Sequence, residues 1–247
     1  MADGDDARPE RRPEPSAERR IAFPFTSAAS CLLVEPSAPT PDTRPPLMVS
    51  LHGQSQTGAR QRRWLARALP PHWAAAFPDG FHKHEIRKPG GPMRVGHAWY
   101  MFTGDQEAFR ESLLEGESAL WELVDRAVEA LGADPARVYL CGFSQGAYLT
   151  HCAAVRSPHR VAGWVAQSGR LKTNFLAEQL PGVSGKPVLI QHGENDPHLP
   201  ADAAETSAAA LREHGADVTL RTYDAGHEIN APMVDDLRAW LEAREPA

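Results

Sequence analysis

Three polar residues in this chain have types and positions suited to nucleophilic chemistry: Ser144, Asp196 and His227. Ser144 is the centre of Gly142-Phe143-Ser144-Gln145-Gly146, with an apolar run at 138–141 before it and another at 147–155 after it. That context reads as strand, turn and helix, and it explains both glycines. A serine hydroxyl projects from a sheet only if the backbone turns sharply beneath it. Side chains two residues to either side would then collide with the neighbouring strand and helix. The following helix points its N-terminus at the serine, where its dipole favours developing negative charge.

A serine hydroxyl is a weak nucleophile without a base, and the base needs a group to orient it. Asp196 lies in His192-Gly193-Glu194-Asn195-Asp196-Pro197, directly after the apolar run 187–191, and His227 follows the β-type run 218–223. Each residue alone could be an ordinary turn aspartate or a solvated loop histidine. Together, the order Ser, Asp, His with all three just past strand ends is the chain order of α/β-hydrolases. Glu194 and Asp224 compete as acids and His192 as base. Asp224 shares a strand end with His227 and is expected to point elsewhere. His192 lies so near its strand terminus that a structural role fits it better. The oxyanion requires two amide donors. The amide of Gln145 supplies one, and Gln54, in His52-Gly53-Gln54 after the run 47–51, is the candidate for the second.

The elements that must position these groups follow from hydrophobic periodicity. Strands are expected at 31–34, 47–51, 73–77, 137–141, 161–166, 187–191 and 218–223, several of them continuous apolar runs suited to strands covered on both faces. Helices are expected at 106–131, where Phe109, Leu113, Leu120, Val124, Val128 and Leu131 recur at three- and four-residue steps before Gly132, at about 202–214 and at about 231–242. Asp202 and Glu205 have capping-box spacing, and Asn230 is the cap candidate of the last helix. Alternating strands and helices predict an α/β fold of the α/β-hydrolase type: a mostly parallel sheet with helices on both faces. About twenty residues separate 166 from 187, too few for a large cap domain. Residues 79–105 read as a long irregular loop, and its Trp99, Tyr100 and Phe102 are expected to line an acyl pocket unless they pack on the sheet.

Composition narrows the function classes. Of 247 residues, 42% are apolar and 23% charged, which is enough for a sizeable core in one domain, read as 21–247. The charged, proline-containing segment 1–20 reads as a disordered tail and lacks the apolar stretch of a secretory signal. A net charge of −6 with no basic stripe argues against nucleic acid as partner, and no apolar run is long enough to form a membrane anchor. Three cysteines in apolar surroundings read as reduced core residues of a cytoplasmic protein. His82 and His84 lack an evident third ligand, so no metal is expected. The chain is compatible with a monomer or a homodimer.

The segments His52-Gly53-Gln54-Ser55-Gln56-Thr57-Gly58, Ala98-Trp99-Tyr100, Gly142-Phe143-Ser144-Gln145-Gly146, His192 to Pro197 and Gly226-His227-Glu228-Ile229 resemble the phospholipase/carboxylesterase family of α/β-hydrolases, which includes acyl-protein thioesterases and small carboxylesterases. The resemblance runs from about residue 21 to the end. It implies ester or thioester hydrolysis of small-molecule substrates without a cofactor. By that resemblance Ser144, Asp196 and His227 match the triad, and Gln54 and Gln145 match the oxyanion amides. It leaves three activities open: a serine carboxylesterase, an acyl-protein thioesterase or lysophospholipase using the same triad, and a binding protein on an inactive scaffold. Where thioesterases carry Leu-Gly-Asp and Trp-Phe-Asp, this chain has Gln54-Ser55-Gln56 and Trp99-Tyr100-Met101, so the residues holding the acyl group differ.

Overall fold

Side-chain alternation on the central strands decides the layering. β2 (Leu47–Leu51) sends Leu47, Val49 and Leu51 to one face and Met48 to the other. β6 (Val138–Phe143) sends Val138 and Leu140 to the first face and Tyr139, Cys141 and Phe143 to the second. Every residue of both strands is buried, so both faces need cover. In the computed structural model, which describes residues 27–87 and 89–245, helices supply that cover. α2 (Gln106–Leu131), α3 (Gln145–Arg156) and α5 (Asp202–Glu213) bury Leu113, Leu149 and Leu211 on the first face. α1 (Gly58–Leu65) and α6 (Ala231–Arg244) bury Leu65, Met233 and Leu237 on the second. The expectation for segment 1–20 falls outside the described residues.

The sheet has seven strands in the order β1-β3-β2-β6-β7-β8-β9, where β1 is Cys31–Val34, β3 Ala74–Pro78, β7 Gly163–Gln167, β8 Pro187–Gly193 and β9 Asp217–Tyr223. β1 is antiparallel to β3, and all other pairings are parallel. The chain builds outward from β2 to one side, then returns to place β6 on the other. The strand order therefore switches between β2 and β6, and ligands of such sheets bind outside the carboxyl ends of the strands at that switch. Gln54 and Ser144 follow those two strands. Between β7 and β8 stand only the four-residue helix α4 (Thr173–Leu176) and a 3-10 turn at Leu180–Val183, with no cap domain.

Two expectations are corrected. Residues 79–105 are not an irregular loop: they contain an antiparallel hairpin of β4 (His82–Ile86) and β5 (Arg94–Ala98). Alternating exposure along β4, whose histidines flank charged residues, hid a strand that lies off the main sheet. Asp202 does not cap α5; the cap position is Ala201, with no side-chain bond, because a turn at Pro200 starts the helix one residue earlier than the capping-box spacing implies. Elsewhere local signals govern. Asn230 accepts from the Met233 amide, and Gly132 ends α2 with φ 59°, a left-handed conformation that suits glycine. Asp105 caps the start of α2 by accepting from the amides of Glu107 and Ala108, both at 2.9 Å.

Gly116, midway along α2, separates two physical arguments. Helix propensity alone makes Gly116→Ala stabilising by about 1 kcal/mol. A Cβ there would lie 2.6 Å from the Trp99 carbonyl oxygen, which is backbone at the end of the hairpin. Overpacking of this kind costs about 1–3 kcal/mol, so packing wins and Gly116→Ala is expected to lower stability by about 1 kcal/mol net. Denaturant midpoints of the two proteins decide it; a raised midpoint contradicts the close approach.

Candidate active site

The nucleophile turn is forced by its neighbours. Ser144 stands between β6 and α3 with φ 52° and ψ −117°, a conformation costly for a residue with a Cβ. A Cβ on Gly142 would lie 2.3 Å from the Gly146 carbonyl oxygen, and one on Gly146 would lie 2.5 Å from the Leu51 carbonyl oxygen. Both glycines are therefore required by backbone-to-backbone approach around the turn. Ser144 itself is tied down by its amide, which donates to the Gln167 carbonyl of β7 at 2.9 Å.

His227, past the end of β9, places Nε2 at 2.8 Å from Ser144 Oγ and Nδ1 at 2.7 Å from Asp196 Oδ2. A carboxylate only accepts, so Nδ1 carries the proton and Nε2 is free to accept from the serine. The Asp196 side chain is fully buried, and its second oxygen accepts from the amides of His198 and Leu199. Burial opposes ionisation of Asp196, but the bonds from His227 and from those two amides outweigh it and hold the carboxyl below the usual carboxylate range. The imidazole is packed between the rings of Phe143 and His198, with centroids 5.1 and 5.0 Å away. The arrangement can transfer a proton from Oγ to Nε2 and stabilise the imidazolium that results.

The competing groups face elsewhere. Glu194 accepts from Thr222 Oγ1 and Asp224 from Asn195 Nδ2, both at 2.8 Å and on the exposed side of the strand ends. His192 is fully buried beneath Asp196, with Nε2 on the Leu199 carbonyl. His84 meets Ser55 Oγ at 2.9 Å, and no cluster of three metal-ligating side chains occurs among the described residues.

Gln54 and Gln145 flank Ser144 in the site. Neither backbone amide donates to a backbone acceptor among the described residues, which leaves both free for a ligand oxygen. The Gln145 side chain does a separate job that the sequence did not signal. Its Oε1 accepts from the Trp99 amide at 2.9 Å, and its Nε2 donates to the Tyr100 carbonyl at 3.0 Å, so it clamps the exit of the hairpin to the nucleophile helix. His52 completes the clamp. Its Nε2 accepts from the Gly80 amide at 2.9 Å, its Nδ1 donates to the Gly53 carbonyl, and its own carbonyl accepts from Trp99 Nε1. Ser55 and Gln56 bridge to His97 of β5, pinning the Gln54 loop to the hairpin.

Two clefts meet at Ser144. One, of about 450 Å³, runs past His227, His198, Leu199 and Ser168. The other, of about 340 Å³, is lined by Tyr100, Met101, Phe102, Phe109, Arg170 and Lys172. Tyr148 borders both. Tyr100 and Phe102 thus stand where a pocket wall was expected, whereas Trp99 does not. It is fully buried and committed to His52 and Phe81, because its indole N–H needs the His52 carbonyl inside the core. Ser168, Tyr148, Arg170 and Lys172 were missed in the sequence. Only Ser168 carries a local oddity, φ 47°, and that is invisible without coordinates.

Residues 38–244 match the family model described as Phospholipase/Carboxylesterase. Acyl-protein thioesterase 1 of Eremothecium gossypii is 34% identical over 149 residues, covering 54% of this chain and 62% of that protein, so the chain spans less than two thirds of that relative. A probable carboxylesterase of Oryza sativa subsp. japonica is 29% identical over 210 residues, covering 78% of this chain and 86% of that protein. The crystal structure of the Bacillus cereus carboxylesterase superposes with a TM-score of 0.72 over 88% of this chain and 95% of that chain, at 19% identity, which is a likeness of fold.

Burial lowers the pKa of His52 to about 4, and that of His151, enclosed in α3 beside Trp164, also to about 4. In the unfolded chain both titrate near 6.5, so as pH falls the unfolded state binds those two protons first. Stability from these groups is therefore full above about pH 6.5 and lost progressively towards pH 4. The denaturant midpoint is expected to fall between about pH 7.5 and about pH 5, and an unchanged or higher midpoint at the lower value contradicts the two neutral imidazoles.

Proposed function

The chain belongs to the phospholipase/carboxylesterase family of α/β-hydrolases, and from that premise we propose that it is a serine carboxylesterase, cleaving short- to medium-chain carboxylic esters through an acyl-enzyme. The observation that carries the reading is the unbroken relay from Ser144 Oγ through both nitrogens of His227 to the buried Asp196 carboxylate. In the first step Ser144 Oγ attacks the ester carbonyl while its proton passes to His227 Nε2. The carbonyl electron pair moves onto oxygen, where the amides of Gln54 and Gln145 receive it. Collapse breaks the bond to the leaving alcohol, which takes the proton from Nε2. Water, deprotonated by the same nitrogen, then releases the acid and restores Ser144.

Chain length is read from the walls. Tyr100 and Phe102 give one cleft a modest apolar surface, and no cap covers it. Each buried methylene adds about 0.8 kcal/mol, so selectivity rises until the wall is filled and then stops. Thioester hydrolysis at the same triad is the second reading, supported by the Eremothecium relative. Among the described residues no helix is long and apolar enough to cross a membrane. The three cysteines are unpaired, and burial pushes the thiols of Cys31 and Cys141 up to about 11 and about 12; a cytoplasmic location fits unpaired thiols.

Two experiments test this. Ser144→Ala is expected to reduce ester turnover by several orders of magnitude, and Asp196→Asn by about 10⁴, whereas Asp224→Asn and Glu194→Gln retain most activity. Retention of more than about a tenth by Ser144→Ala, or dependence on Asp224, overturns the assignment. In a series from acetyl to palmitoyl p-nitrophenyl esters, kcat/KM is expected to peak at short or medium length, with no jump at the solubility limit. A steady climb to palmitoyl favours a long-chain thioesterase or lipase instead.

A further inference from the structure

The relay fixes which half of the ester occupies which cleft. The leaving alcohol must take its proton from His227 Nε2, so it lies in the cleft that His227 lines. The acyl group then extends into the other cleft, which His227 does not line. That acyl cleft has an aromatic floor of Tyr100, Phe102 and Phe109, and at its rim two cations, Arg170 and Lys172.

Both cations are placed there by the backbone. In Arg170-Leu171-Lys172, Leu171 is buried in the core and its amide donates to Ser207 Oγ at 2.9 Å, and exposed Arg170 and half-buried Lys172 on either side line both this cleft and the neighbouring one towards α5. Lys172 Nζ is held 5.4 Å above the Phe109 ring and 5.9 Å from that of Tyr148. Neither cation pairs with a carboxylate among the described residues, although the chain has 32 acidic against 26 basic residues. Partial burial and the neighbouring Arg170 charge hold the Lys172 ammonium below its ordinary pKa. Two like charges beside Ser144 with no carboxylate paired to them among the described residues can donate charge-assisted hydrogen bonds to an anion in the cleft.

Resting on the serine-esterase reading, we propose that Arg170 and Lys172 form a carboxylate subsite and that the preferred substrate is a half-ester of a dicarboxylic acid, its methylenes on the aromatic floor and its free carboxylate at the two cations. The planar guanidinium fork matches carboxylate geometry, and the ammonium adds a point charge on the same side.

The test compares the mono-p-nitrophenyl ester of adipic acid with p-nitrophenyl hexanoate, which has the same chain length and no charge. The wild-type ratio of kcat/KM, half-ester over hexanoate, is expected to be about tenfold or more. In Arg170→Gln/Lys172→Gln the ratio falls towards one, and each single variant lies between. A wild-type ratio at or below one, or the wild-type ratio retained in the folded double variant, overturns the subsite; the single variants serve if the double variant does not fold. If neither ester is hydrolysed and a fluorophosphonate does not label Ser144, the esterase reading itself fails. Hexanoate hydrolysis with no preference overturns the subsite alone.

Discussion

The turn at Ser144 is the constraint on which the rest of the site depends. A residue with a side chain is held at φ 52°, at a cost of about 1–3 kcal/mol, and the surrounding backbone closes in so tightly that only glycine fits at 142 and 146. The same crowding reaches outward. A Cβ on Gly53 would meet the Phe143 ring at 2.9 Å, and one on Gly169 would meet the Ala147 Cβ at 2.3 Å. The loops after β2 and β7 are thus packed against the nucleophile turn. Those two loops carry Gln54 on one side and Ser168, Arg170 and Lys172 on the other.

A buried polar scaffold surrounds that turn. His52, Gln145 and Trp99 exchange hydrogen bonds with backbone groups from the loop after β2, the hairpin exit and the Asp79-Gly80 turn. Buried polar groups are costly when unpaired, so each bond made here opposes displacement of the others. The wall formed by Tyr100, Met101 and Phe102 is rigidly referenced to Ser144 through this network, while the Phe102 side chain stays largely exposed. A pocket built this way is firm at its base and open at its mouth.

The polarity of the relay then divides the surface. His227 stands on one side of Ser144, so the two clefts cannot be interchangeable. On the proposed esterase reading, one would receive the group that must be protonated and the other the group that remains on serine. The cleft that His227 does not line carries Arg170 and Lys172, in a chain whose overall charge is negative.

Local and periodic signals in the sequence were sufficient for the sheet, the covering helices and the three residues of the relay. The strands are apolar runs ended by turn residues, and the nucleophile turn has a steric requirement written directly as two glycines. The caps at Asn230 and Gly132 are likewise contacts within a few residues. What the sequence left undecided depends on contacts between distant segments. Whether Trp99 faces a ligand or the core turned on a carbonyl 47 residues away, at His52. The placing of Lys172 over the rings of Phe109 from α2 and Tyr148 from α3 exists only once those helices lie on the same face of the sheet, because spacing along a chain carries no information about which unrelated surfaces will share a cleft.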